Sequence, residues 1–154
     1  VGAWVIFNEG WGQFATEPVT RMVKKADPSR PVDSASGWFD CGCGDIKSVH
    51  NYFETLICPK DRRTGKIEEA RACVISEYGG LALAIEGHLS SDRVYGYRKL
   101  KTGEEFQRRY EQFQSQLKKL QREGLSAAIY TQVSDIEDEI NGIYTYDRKV
   151  CKLQ

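Results

Sequence analysis

Short apolar runs alternate with helical or polar stretches along this chain, and a chain built that way folds most readily as βα units around a parallel sheet. Strand candidates cover Trp4 to Phe7, Pro31 to Ala35, Lys47 to Tyr52, Arg71 to Glu77 and Leu125 to Gln132. Between the first two, Thr16, Glu17 and Pro18 read as the start of a helix, with the threonine as its cap. Val19, Met22, Val23 and Ala26 then recur at the spacing of a sheet-facing side. The clearest helix follows Thr102, where Thr102 to Glu105 forms a capping box. Phe106, Tyr110, Phe113, Leu117 and Leu120 step at helical intervals behind it, and Gly124 is placed to end the run. Pro59 to Glu69 is charged and turn-rich and reads as a surface loop or a ragged helix.

Charge narrows the partners. Lys plus Arg and Asp plus Glu both number 22, so the chain has no net field to gather phosphate backbones or anionic lipid. Nucleic acid and membrane surfaces are set aside as partners, and no run approaches the roughly 20 apolar residues of a membrane span. The five cysteines, Cys41, Cys43, Cys58, Cys73 and Cys151, are an odd set without repeated spacing, which argues against a disulfide framework. Cys73, inside an apolar run, reads as a small core residue. Cys41-Gly42-Cys43 near His50 lacks the two to four intervening residues typical of structural zinc. The acids from Asp135 to Glu139 precede Asn141-Gly142, but the glycine falls at the wrong place for a calcium loop, so a solvated loop is expected. Neither a metal nor a cofactor is called for.

Two short apolar runs each end in a glutamate: Trp4-Val5-Ile6-Phe7-Asn8-Glu9 and Cys73-Val74-Ile75-Ser76-Glu77. A carboxyl group at the end of a buried strand is costly unless it has work to do, and two such groups are the minimum equipment for cleaving a glycosidic bond. In a (β/α)₈ barrel the catalytic groups stand at the carboxyl ends of the strands, where Glu9, Asn51-Tyr52, Glu77 and Gln132 all fall. Trp11 and Trp38 are either faces for sugar stacking or loop anchors. His50 has three readings: it orients Tyr52, binds a sugar hydroxyl, or is a satisfied internal histidine.

The stretches Phe7-Asn8-Glu9-Gly10-Trp11-Gly12, His50-Asn51-Tyr52, Ile75-Ser76-Glu77-Tyr78-Gly79-Gly80, and Tyr130-Thr131-Gln132 through Asn141-Gly142 to Tyr146-Asp147-Arg148 carry a resemblance. The chain resembles the catalytic barrel of glycoside hydrolase family 2, the β-galactosidases, β-glucuronidases and β-mannosidases. The resemblance implies an α/β fold comprising about strands four to eight, the C-terminal half of a (β/α)₈ TIM barrel, with residues 1–154 as a partial catalytic domain. It implies a retaining exo-β-glycosidase acting on a carbohydrate substrate, with Glu9 as acid/base and Glu77 as nucleophile. Asn8 would hold the sugar 2-hydroxyl and Tyr52 would hydrogen-bond the nucleophile, with Trp11, His50, Asn51 and Gln132 also binding substrate. A galactoside is the default sugar, with glucoside, mannoside, glucuronide and arabinoside open. The alternative is a non-catalytic carbohydrate-binding or scaffold protein on the same fold. Absent strands one to three would leave open sheet edges, so the chain, which starts at Val1 on strand-like residues, is expected to be an excerpt of a larger enzyme or a homo-oligomer.

Overall fold

The computed structural model describes residues 1–58, 60, 64–65, 67 and 70–153. Within them the elements run β1 (Trp4–Asn8), α1 (Thr16–Ala26), β2 (Val32–Ser36), β3 (Ile46–Asn51), β4 (Ala72–Gly79), β5 (Leu81–Leu83), β6 (Arg98–Leu100), α2 (Gly103–Arg122) and β7 (Ala127–Thr131). The chain divides into two compact units, the first comprising Val1–Asn51, Ile57–Glu77 and Lys119–Ala128, the second Tyr52–Leu56, Tyr78–Lys118 and Ile129–Gln154. Most of the segment from Pro59 to Glu69, expected as a loop or ragged helix, lies outside the described residues.

In the first unit β1, α1 and β2 form a βαβ unit whose strands pair in parallel, Trp4 opposite Val32 and Asn8 opposite Ser36. A three-stranded sheet runs in the order β3–β4–β7, the last residues of β4 and β7 continuing into the second unit. β2 is buried along its whole length, and Val32, Ala35, Val74 and Ile75 build the core. The start of β4 is clipped by a disulfide between Cys58 and Cys73. That corrects the reading of Cys73 as a lone core residue: Cys58 lies beyond the charged segment, and no spacing rule announces such a pairing.

The first helix also departs from expectation. Its cap position is Ala15, in a left-handed conformation with no side-chain cap, and the Thr16 hydroxyl donates instead to Gln13 Oε1 at 2.8 Å. Its inward stripe is Thr16, Val19, Thr20 and Val23, while Met22 is 64% exposed. Thr20 tolerates burial because its hydroxyl is satisfied by the Thr16 carbonyl one turn back, at 2.7 Å.

In the second unit α2 packs Phe106 and Phe113 inward, with Tyr110 half-buried between them, as the aromatic spacing predicts. Its start matches the capping box: the Glu105 N–H donates to Thr102 Oγ1 at 3.1 Å, and the Glu105 carboxylate accepts from the Lys101 N–H at 3.0 Å. The short parallel pair β5–β6, Leu81 opposite Arg98, carries the apolar run Leu81, Ala82 and Leu83 into this unit's core. After β7 the chain is held by a buried ion pair, since Lys152 Nζ reaches both Asp135 oxygens at 2.7 and 2.9 Å and the Ile140 carbonyl at 3.0 Å. Burial pushes the Asp135 carboxyl up and the Lys152 ammonium down from their ordinary values, and the bridge opposes both. The start of the segment expected as a solvated acidic loop is therefore buried, because the cation that balances it arrives from Lys152.

The sheets hold two, three and two strands, and the described residues form no closed barrel.

Candidate active site

Three side chains of the first unit converge from three strand ends. Glu9 follows β1, His50 lies near the end of β3, and Glu77 lies near the end of β4, the neighbour of β3 in the sheet. His50 Nδ1 stands 2.9 Å from Glu9 Oε1 and 3.4 Å from Glu77 Oε2. One carboxylate oxygen from each glutamate and the imidazole nitrogen all lie within 4.8 Å of one another. The imidazole is sealed, whereas 20% of the Glu9 side chain and 29% of the Glu77 side chain remain exposed, so both acids can be reached from solvent.

Local structure explains how each group is held. The Glu9 N–H donates to the Ser36 carbonyl at 2.8 Å, extending the β1–β2 ladder by one residue. Glu9 then turns with φ +55°, a left-handed conformation that an L-residue with a long side chain adopts at a cost of ~1–2 kcal/mol. Backbone strain of this kind collects at sites where geometry serves chemistry. His50 and Ser48 share a strand face, and beneath them Ser48 Oγ donates to the buried Asp33 carboxyl at 2.5 Å. Burial raises the Asp33 value above the usual carboxylate range, with the Ser48 hydrogen bond opposing it. Trp38 covers the imidazole edge to face, ring centroids 5.9 Å apart, and its indole N–H donates to the His50 carbonyl at 3.2 Å. Gly37 permits this closeness. It sits at φ +93°, and a Cβ there would lie 3.2 Å from His50 Cγ and Nδ1.

Buried Nε2 of His50 has no hydrogen-bond partner among the described residues. A buried N–H without an acceptor costs more than a buried lone pair, and Nδ1 faces two carboxylates, so the hydrogen-bond pattern assigns the proton to Nδ1. The imidazole then donates that N–H to Glu9 Oε1, and Glu77 Oε2 stands 3.4 Å from the same nitrogen. The same three groups are the ones among the described residues spaced to hold a cation, which would require His50 to give up that N–H.

The other expected site residues fall as follows. Asn8 is exposed and its Oδ1 accepts from Ser36 Oγ at 3.0 Å, while Trp11 is 75% exposed on the following loop. Asn51 is buried and its amide donates to the Ile57 carbonyl at 3.3 Å. Tyr52 and Gln132 belong to the second unit. There the Tyr52 ring stacks on Tyr97 at 4.1 Å, and Gln132 Nε2 donates to Asn141 Oδ1 at 2.8 Å and Glu139 Oε2 at 3.1 Å. Sequence reasoning did not find Gly37 and Trp38 as the walls of the histidine. The signal was there in Gly-Trp directly after a strand, but which side chain such a pair encloses depends on tertiary packing.

Neither a protein-family model nor a curated protein matches this chain. Among solved structures it is similar to a β-glucuronidase of Bifidobacterium dentium complexed with coumarin-3-O-glucuronide, with a TM-score of 0.53 at 16% sequence identity. The alignment covers 87% of this chain and 24% of that chain, so the chain spans about a quarter of that enzyme's length. The likeness is one of fold, and the fold is that found in part of a glycosidase.

Proposed function

We propose that this chain is the C-terminal half of the (β/α)₈ catalytic barrel of a retaining exo-β-glycosidase of the family 2 type. The observation that supports this best is the closeness of Glu9 and Glu77, whose nearest oxygens lie within the 4.8 Å that also encloses His50 Nδ1. Retaining enzymes keep their two carboxyl groups about 5 to 5.5 Å apart, and inverting ones about 6.5 to 9.5 Å, to leave room for a water. The short spacing suits a double displacement.

In that mechanism Glu77, ionised, attacks the anomeric carbon while Glu9 donates a proton to the departing glycosidic oxygen. Glu9, now a carboxylate, takes a proton from water as that water displaces Glu77 from the glycosyl-enzyme. Asn8 beside Glu9 is assigned to the sugar 2-hydroxyl, and Tyr52 and Gln132 are assigned to substrate binding on the family resemblance alone. A β-galactoside remains the default sugar, and the fold relative adds weight to a β-glucuronide.

The test is a panel of nitrophenyl β-glycosides with the intact protein, Glu77→Gln and Glu9→Gln. Loss of the nucleophile lowers kcat on the order of 10⁴-fold or more with every substrate. Loss of the acid lowers it by ~10²- to 10⁴-fold with an alkyl leaving group, and much less with a dinitrophenolate, which departs without a proton. Turnover untouched by Glu77→Gln would remove the assignment. Sugar binding without any turnover would point to the scaffold reading.

A further inference from the structure

Glu9 and Glu77 are carried by different sheets. Glu9 follows β1, which pairs with β2, whereas Glu77 lies in β4, which pairs with β3 and β7. Among the described residues no ladder joins the two sheets, so the spacing of the acids depends on what crosses the seam between β2 and β3. At the start of the two strands, away from the acids, Asp45 makes the crossing: its N–H donates to the Val32 carbonyl and its carboxylate accepts from the Val32 N–H, both at 2.8 Å. Toward the acids the crossing passes to side chains.

There Ser48 Oγ of β3 donates to the Asp33 carboxyl of β2 at 2.5 Å, and both residues are buried. The same oxygen accepts from the Gly37 N–H at 3.4 Å, so the single hydroxyl proton is committed to Asp33. The series runs from Gly37 through Ser48 to Asp33, each bond polarising the next. One residue on, the Trp38 indole N–H donates to the His50 carbonyl at 3.2 Å, which fastens the turn after β2 to β3 at two consecutive residues. Gly37 is also the wall of the imidazole, since a Cβ there would meet His50 Cγ at 3.2 Å. A buried carboxyl is a costly way to join two strands, and burial pushes Asp33 above its usual range against the pull of the Ser48 bond. An apolar contact would avoid that cost, but it has no direction, whereas a hydrogen bond fixes length and angle.

We propose that Asp33 and Ser48 are positioning residues: as a hydrogen-bonded clasp across the seam they fix the imidazole wall, the reach from His50 Nδ1 to Glu9, and with it the spacing of the two acids. They act through Gly37 and His50. Carboxyl spacing separates a direct attack on the sugar from one that needs an intervening water, so a seam that slips by an ångström costs rate. The effect on rate rests on the assignment of Glu9 and Glu77 as acid/base and nucleophile, whereas the hold on the imidazole does not.

The imidazole reports on the clasp without turnover. In the intact protein carrying isotope-labelled histidine, the His50 Nδ1–H resonance, identified by its absence from His50→Gln, is expected at low field and slow to exchange with water. Three variants separate the clasp from plain stability. Ser48→Ala leaves the Asp33 carboxyl without its donor. Asp33→Ala combined with Ser48→Ala removes both partners, the gentler change for folding. Asp33→Asn keeps an oxygen for Ser48 to donate to and is expected to behave as the parent. The resonance should broaden or vanish in the first two and persist in Asp33→Asn, with thermal melts establishing that each variant is folded. With a nitrophenyl β-glycoside, kcat is expected to fall about tenfold in the first two while KM stays within about twofold. An unchanged Nδ1–H resonance in the folded double variant, or parental kcat in both variants that lack the Ser48 hydroxyl, would overturn the proposal. A resonance that follows the variants as expected in a protein that cleaves no glycoside would uphold the clasp on His50 and count against the glycosidase reading.

Discussion

His50 stands between two acids that are distant in sequence, 2.9 Å from Glu9 and 3.4 Å from Glu77 through the same ring nitrogen. The sequence marks Glu9 and Glu77 on local grounds, because each closes a strand-like run. It cannot show that a histidine 41 residues beyond Glu9 lies between them, since that depends on which strands become neighbours. Nor does it show why Gly37 must be glycine. Gly37→Ala places a methyl group at φ +93° and 3.2 Å from the imidazole, so it is expected to cost about 1 to 2 kcal/mol in backbone strain alone and to push His50 away from the glutamates. The expected result is a melt lowered by several degrees together with a loss of kcat larger than the loss of stability accounts for. Full activity with a lowered melt would show that the position of the imidazole does not matter.

At the level of elements, periodicity and caps were the readable part. α2 carries its own start signal, aromatic face and stop, so local sequence determines it. The spacing locates α1 but favours Met22 for its inward side, whereas a hydrogen-bonded Thr20 occupies the buried position. β5 and β6 have three residues each, too short for any alternation to stand out. Contacts that bind loop to strand, such as Arg71 with Asp40, leave no periodic trace either, yet they set the acid response. The Arg71 guanidinium holds the Asp40 carboxyl below its ordinary value of 3.8, so as pH falls the unfolded chain takes up this proton first. The stabilisation is therefore complete above pH ~4 and drains away as pH falls through the lower value of the folded state. Asp40→Asn should lower the melting temperature near neutrality, with the gap to the parent protein narrowing toward pH 2. A constant gap across that range would exclude the ion pair as its source.

For the molecule as a whole, the sequence suggests an α/β architecture of parallel βα units, and the described residues agree coarsely, with two helices and the parallel pairs β1–β2 and β5–β6. The number of strands in a closed ring is not a local property, and no stretch of residues announces it. Among the described residues β1 pairs with β2 alone, and its Trp4 and Val5 are 40% and 54% exposed; under the half-barrel proposal this is an edge that further strands would cover. Residues 1–154 expressed alone should accordingly elute above monomer mass in size-exclusion chromatography and melt broadly. A sharp melt from a clean monomer would argue against the half-barrel. The buried bridge from Lys152 to Asp135 has a different consequence for this same chain. Withdrawing the ammonium leaves the buried Asp135 carboxyl without its cation and with the Gly142 N–H still donating to it, a larger penalty than fraying one turn of backbone. The segment that carries Lys152 is therefore expected to leave as one piece, because releasing its ammonium is the costliest single step.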